Sequence, residues 1–253
     1  MDWLYHERNL RHKIASNYKK RGVDFSEFYE KKYLPYKKSQ SLITGVEKKD
    51  ITKKVSLINS YLAALDEFNE GNWITQQSKF RPTVLEEFLG LLFKDTEEIT
   101  LLGLGFFNKQ IYAGMVISEG GIPRVITKDV DFCIAKEITA DFEGNKYLVR
   151  IPIIAIEAKT YIDKTMFNEA QFTASILKQG TPNVKVYVFA IRNEIGLDQI
   201  PSTSPLDEVF IVSGDGKIDE DTVYDFYREI AEAISRIKEE ALITLPGRLF
   251  KLK

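Results

Sequence analysis

The chain is poor in the residues that most often carry catalysis. It has one cysteine, Cys133, and two histidines, His6 and His12, among 253 residues. A single thiol excludes an internal disulfide and any multi-cysteine zinc site. Two neighbouring histidines also argue against a His-metal centre or a Ser-His-Asp triad. No apolar run approaches the roughly 18–20 residues that span a bilayer. The opening MDWLYHERNL lacks the basic-then-apolar pattern of an export signal, so the expectation is a cytoplasmic protein without a membrane segment. Phosphate-cradling glycine patterns are missing too. There is no GxxxxGK(S/T), and GLG at 103–105 lacks the rest of a dinucleotide fingerprint. What remains for chemistry is carboxylates and lysines.

What is present is an ordinary globular composition, 44% hydrophobic and 28% charged, which excludes disordered and collagenous classes. The length suits one large domain, or one domain with a smaller appendage. The formal net charge of −2 hides an asymmetry. Residues 1–60 carry 14 Lys/Arg against 7 Asp/Glu, and the remainder carries 21 against 30. A basic first quarter is either a solvated lysine-rich surface or the footprint of a polyanionic partner.

Along the chain, the first 70 residues read as helical, with two short aromatic-rich helices broken near Gly22 and Pro35. Ile51, Val55, Ile58, Leu62 and Leu65 recur at steps of four and three, predicting a long helix over 48–70. Pro82 and Thr83 open the next helix, with Leu85, Phe88, Leu89 and Leu92 on one face. Residues 100–118 read as a hairpin turning near Asn108-Lys109. Strands follow at 129–138 and 147–158, divided by the polar turn DFEGN. A helix at 164–178, strands at 184–191 and 208–213, and a last helix capped by Asp219 or Asp221 and reaching about Leu242 complete the order. Residues 196–207, with Pro201 and Pro205, form a loop. The fold class is α/β: a mixed β-sheet core flanked by helices, with an N-terminal helical section at 1–75 and the core at 76–253.

One cluster of ionisable residues sits in an unusual context. Strand side chains alternate, so Glu157 and Lys159 share a face at the end of the apolar run IPIIAI. If the preceding strand pairs antiparallel with it, Asp131 or Asp129 lies beside them. The spacing D/E-x-K also occurs at Glu30-Lys32, Glu47-Lys49 and Asp215-Lys217, but only the pair at 157 terminates an apolar strand. Two carboxylates and a lysine suit metal-assisted phosphodiester hydrolysis, because Mg²⁺ prefers oxygen ligands and keeps several waters. The bland alternative is a strand-end salt bridge with Lys159 or Lys128.

The arrangement Asp131…Glu157-Ala158-Lys159 resembles the motif of the PD-(D/E)XK nuclease superfamily, and the order of elements is similar as well. Lys128 stands before Asp129 where the motif's name implies proline. Asp131 is favoured over Asp129, since the strand Phe132-Cys133-Ile134-Ala135 runs directly on from it. The segment AIEAKTYIDKTMFNEA at 155–170 is similar to type II restriction endonucleases, in particular those cutting asymmetric or interrupted sites. The likeness covers about 83–191.

The resemblance implies a restriction-endonuclease-like fold and a Mg²⁺-dependent enzyme, with Mn²⁺ able to substitute, cutting double-stranded DNA at a specific sequence to leave 5′-phosphate and 3′-hydroxyl ends. Asp131 and Glu157 are then the metal ligands and Lys159 positions or activates the attacking water. It also implies a carboxylate from an upstream Leu-Glu pair. Leu85-Glu86 matches in position, although Thr83-x-x-Glu86 reads equally as a capping box. Glu87 is read as solvated, Lys128 and Lys164 as solvated or phosphate-contacting, Gln171 as a supporting residue, and Cys133 as a small buried one. A homodimer is expected, or a heterodimer if the site is asymmetric, with a DNA methyltransferase as functional partner. The alternatives are a repair, junction-resolving or transposition nuclease, or a non-catalytic DNA-binding protein of the same fold. Beside such a site, the basic N-terminal section becomes a candidate wall of a DNA cleft.

Overall fold

A computed structural model describes residues 3–15, 24–71, 80–142, 144–196 and 203–242. The helical N-terminal section comprises α1 (Tyr5–Ala15), α2 (Phe25–Phe28), a π-helical turn (Tyr29–Tyr33), α3 (Leu34–Leu42) and α4 (Lys48–Gly71). Gly22 lies outside the described residues. Pro35 does not break a helix. It occupies the first turn of α3, where the widened π turn before it leaves no helical bond needing a proline N–H. Helix α4 follows the apolar periodicity, with Ile51, Val55, Ile58, Leu62 and Leu65 all buried.

Helix α5 (Phe80–Phe93) is apolar around almost its whole circumference, so it runs through the middle of the molecule. Within the described residues it runs from Phe80, two residues ahead of the Pro82-Thr83 signal. Thr83 is therefore inside the helix, its hydroxyl donating to Phe80 O at 2.9 Å, and the capping-box reading of Thr83 and Glu86 is set aside. The short helix α6 (Glu97–Leu101) leads into the sheet.

Seven strands form one mixed sheet among the described residues: β1 (Gly105–Phe107), β2 (Ile111–Ile117), β3 (Pro123–Lys128), β4 (Phe132–Phe142), β5 (Asn145–Ile162), β6 (Lys185–Asn193) and β7 (Glu208–Ile211). The long strand β5 is the hub. It pairs antiparallel with β4 along most of its length, parallel with β6 from Ile154, and touches β2 through Ile111 and Arg150. Helices α7 (Lys164–Gly180) and α8 (Glu220–Leu242) supply the crossover and the far layer. Asp219 ends the preceding loop by accepting from Thr222 N at 2.8 Å, a helix-start bond.

The expected hairpin at 100–118 is not one. The chain turns at 108–110, but β1 pairs with β4 and β2 pairs with β3. The strand β3 has no buried residue, only Pro123, Val125 and Lys128 half-buried, and escaped the sequence pattern. Because β3 ends opposite Ile111 and Phe107 pairs with Cys133 near the start of β4, two short loops, 108–110 and 129–131, run side by side where the strands separate. They are stitched by Val130 N donating to Asn108 O at 3.1 Å and Gln110 N donating to Asp129 Oδ1 at 3.0 Å.

Two apolar layers enclose the sheet. One contains α7 with Ala155, Val186 and Val188. The other joins Phe132, Ile156 and Phe189 to α5, α8 and the N-terminal helices. Trp3 reaches that second layer at a notch: a side chain at Gly90 would put its Cβ 2.2 Å from the Trp3 ring, so only glycine admits the indole there. Among the described residues no helix is long and apolar enough to cross a membrane.

Candidate active site

The sequence places an acidic residue at each of two strand ends, and the sheet register brings them together. Phe132 pairs with Ile156, so one step along the ladder sets Asp131 beside Glu157. Asp131 Oδ2 accepts from Ala158 N at 3.0 Å and from Lys159 Nζ at 2.7 Å. The same ammonium donates to Glu157 Oε2 at 2.8 Å. Strand alternation puts Ile156 and Ala158 in one apolar layer and sends Glu157 to the opposite face.

Burial raises the Glu157 carboxyl above the usual carboxylate range, reinforced by the charge of Asp131 and opposed by Lys159. Burial alone disfavours the Lys159 ammonium, but the two carboxylates outweigh it and hold that ammonium above the ordinary lysine range. A positive charge is therefore fixed between two acids that would otherwise repel one another in a poorly hydrated place. An exposed strand-end ion pair does not have this character, with the Glu157 side chain 11% and the Lys159 side chain 22% accessible.

Asp131 and Glu157 face a cleft of about 1130 Å³, and Glu86 on α5 faces it as well. Next to Glu86 in sequence, Glu87 behaves differently from the expected solvated residue. It is 1% exposed, accepting from Glu7 N at 3.0 Å and from the Tyr33 hydroxyl at 2.8 Å. With α5 apolar nearly all round, Glu87 turns inward to satisfy the start of α1. Burial pushes its carboxyl up to about 7. Its neighbour His6, donating to or accepting from Thr83 Oγ1 and the Tyr61 hydroxyl, is held down to about 3 by burial and stays neutral.

Asp129 is used elsewhere. Its carboxylate takes Gln110 N and Lys109 Nζ, the latter at 2.8 Å, and these bonds hold it below the usual range. Gln110 has φ of +56°, a left-handed conformation that a non-glycine residue adopts at some cost, and the Asp129 bond stabilises it. Asp129 thus clamps the loop at 108–110, while Asp131 turns to Lys159. Gln171 is not among the residues that line the cleft and donates to Ser204 Oγ at 3.1 Å. Lys128 lines the cleft and Cys133 is fully buried; Pro201 lies outside the described residues, and 203–207 connect into β7.

The basic N-terminal section is less free than its composition suggested. Arg11 and Lys37 pair with Glu7, Lys31 with Glu27, and Lys48 with Asp221, while Lys54 is buried beside Asp95. Among the described residues Arg8 is the one Lys or Arg of this section that lines the cleft, together with Tyr5, Asn9 and His12. Its guanidinium lies 5.1 Å from the Tyr5 ring centre. This wall of the cleft was not legible residue by residue, although Tyr5, Arg8, Asn9 and His12 do follow the i, i+3, i+4, i+7 spacing of one helix face.

The donor set suits a hard divalent cation. Asp131 and Glu157 are oxygen donors at the edge of an open cleft, and Lys159 already places a positive charge within hydrogen-bond reach of both. Among the described residues no three His, Cys, Asp or Glu side chains gather into a closed cage. Two carboxylates with water in the remaining positions is the arrangement Mg²⁺ tolerates best.

Comparison with known proteins bears on the family and the fold. Residues 77–234 match the family model described as Bpu10I restriction endonuclease. No curated protein is similar to the chain in sequence. Among solved structures, a chain of the native BbvCI A2B2 tetramer, determined at low resolution, aligns with a TM-score of 0.70 and 16% identity over 98% of both chains. At that identity the likeness is one of fold, and it extends through the N-terminal helices as well as the sheet.

Proposed function

The chain belongs to the Bpu10I restriction endonuclease family, and on that basis we propose that it is a type II restriction enzyme that cuts double-stranded DNA at a specific sequence. The observation that carries the proposal is the Asp131–Glu157–Lys159 cluster, drawn together from two strand ends and opening on a cleft. Asp131 and Glu157 are the residues that would hold Mg²⁺, with Mn²⁺ as a substitute of similar ligand preference. When bound, the cation would lower the pKa of an attacking water and offset charge on the phosphate.

Lys159 sits within 2.8 Å of both carboxylates, where its ammonium can orient the attacking water and donate to a phosphate oxygen as negative charge builds there. Ala158 N fixes the Asp131 carboxylate, and Glu86 contributes a further carboxylate facing the same space. Water attacks phosphorus, the bond to the 3′-oxygen breaks, and the departing oxygen takes a proton. The products are a 5′-phosphate and a 3′-hydroxyl.

The BbvCI structure is an A2B2 tetramer, and we read the working unit of this chain as oligomeric too. Two-fold symmetry makes a second copy the partner at a palindromic site, and a different subunit the partner at an asymmetric one. A methyltransferase of matching specificity is the functional counterpart of such an enzyme. The test is digestion of a sequenced plasmid with Mg²⁺, with and without chelator, followed by end sequencing. Discrete, chelator-sensitive fragments with 5′-phosphates are expected. Cutting only of branched DNA transfers the site to a repair or junction nuclease, and no cutting with Mg²⁺ or Mn²⁺ overturns the catalytic proposal.

A further inference from the structure

Two helices flank the acids, and each presents one face to the same cleft. Helix α1 brings Tyr5, Arg8, Asn9 and His12, and α7 brings Thr165, Asn168, Glu169 and Phe172. Both sets follow the i, i+3, i+4, i+7 spacing of a helix stripe. Their chemistry differs in sign. The α1 stripe has an arginine and no acid, whereas the α7 stripe has an acid and no cation.

A wall that meets the DNA backbone is expected to carry Lys, Arg or neutral donors, because phosphates are anionic. Glu169 is exposed in the cleft, and a carboxylate turned towards phosphate would be repelled. Base edges, in contrast, offer donors: the cytosine N4 amino group to a carboxylate, and the adenine N6/N7 edge to a carboxamide. Phe172, 64% exposed, is a large apolar ring in the same stripe, suited to a thymine methyl.

The stripe is also rigidly placed. Helix α7 leaves β5 directly, is capped by Asp163 accepting from Met166 N at 2.8 Å, and buries Phe167, Ala170, Ala174 and Leu177 on its other side. Its last residue, Gly180, sits so close to β2 that a Cβ there would lie 2.3 Å from the Ala113 carbonyl carbon. A helix fixed at both ends keeps a constant offset between Glu157 and the stripe, as sequence-registered cleavage requires.

We propose that α7 is the base-reading element of this protein, with Glu169 and Asn168 as specificity-determining residues and α1 as the phosphate-holding wall. The proposal rests on the nuclease reading above. Its test uses the full chain on a pool of duplexes with randomised sequence, mapping cut ends by sequencing and, separately, selecting bound duplexes in the absence of divalent cation. Glu169→Gln is expected to reduce discrimination at one C·G position roughly tenfold to a hundredfold, leaving preferences at the other positions in place. Asn168→Ala is expected to relax a neighbouring position by a similar factor. Wild-type cleavage and binding maps reproduced by both variants would overturn the proposal. So would loss of cutting at every sequence by a Glu169→Gln protein that melts as wild type does and selects the same duplexes. If the wild type cuts nothing, the nuclease reading fails, and the bound-duplex selection still decides the role of α7.

Discussion

Glu87 allows the way α1 is fastened to α5 to be measured. In the folded chain its two oxygens accept from Glu7 N and the Tyr33 hydroxyl, and burial raises its carboxyl to about 7 from an ordinary value of 4.5. Between those values the folded protein keeps a proton that the unfolded chain has released. A raised pKa of this kind contributes stability that is complete below the unfolded value and is lost as pH climbs through the folded one. At about 1.4 kcal/mol per pH unit, the loss across the window is about 3 kcal/mol.

Glutamine cannot titrate, so Glu87→Gln removes this dependence, while His6 and every other group cancel between the two proteins. The amide can accept only one of the two hydrogen bonds, and the Tyr33 hydroxyl must then accept from the new NH₂, a pH-independent cost of about 1 kcal/mol. Urea unfolding followed by far-UV circular dichroism, in half-unit steps from pH 4.5 to 8, gives the difference curve. Wild type should lose about 3 kcal/mol relative to Glu87→Gln over that range. A difference flat to within about 1 kcal/mol, or of opposite slope, would show that Glu87 is not a buried, proton-holding group.

Other outcomes follow from the site. Glu157→Gln and Lys159→Ala should each lower plasmid cleavage by at least about a hundredfold with DNA affinity largely kept, and full activity in either purified protein would remove these residues from the chemistry. Asp131→Asn should be as damaging, whereas Asp129→Ala, which frees Gln110 N and Lys109, should slow cutting without abolishing it; equal losses in a kinetic comparison would contradict the separation of roles. Arg8→Ala should weaken binding to all duplexes alike and reduce the salt-dependence slope by about 1, as read from fluorescence anisotropy across a salt series. An unchanged slope would take Arg8 off the backbone.

The elements that sequence disclosed are those whose signals are local. Ile51 to Leu65 declare α4 by spacing, and the apolar run ending in Glu157-Ala158-Lys159 declares β5 and the acids beside it. Pairing between distant strands has no such mark. Nothing in LLGLGFFNKQIYAGMV says that β1 must join β4 and β2 must join β3, because the choice depends on the crossing loops at 108–110 and 129–131. Glu87 illustrates the same limit for a side chain: its partners lie 54 and 80 residues upstream, and no window around it reveals them. Which residues of the basic N-terminal section form a cleft wall was hidden for that reason too, since a net positive count over 60 residues does not tell which cation is already paired.

The family match begins at residue 77, yet the molecule is not divided there. Trp3 fills the Gly90 notch, and Glu87 depends on donors from α1 and the π turn. A fragment starting at residue 77 would carry a hole where an indole belongs and a carboxylate stripped of both donors, directly beside Glu86. The upstream helices therefore form a portion of the scaffold behind the candidate site that happens to be encoded first. On the nuclease reading, a tag inserted within α1 should abolish cleavage without touching Asp131, Glu157 or Lys159.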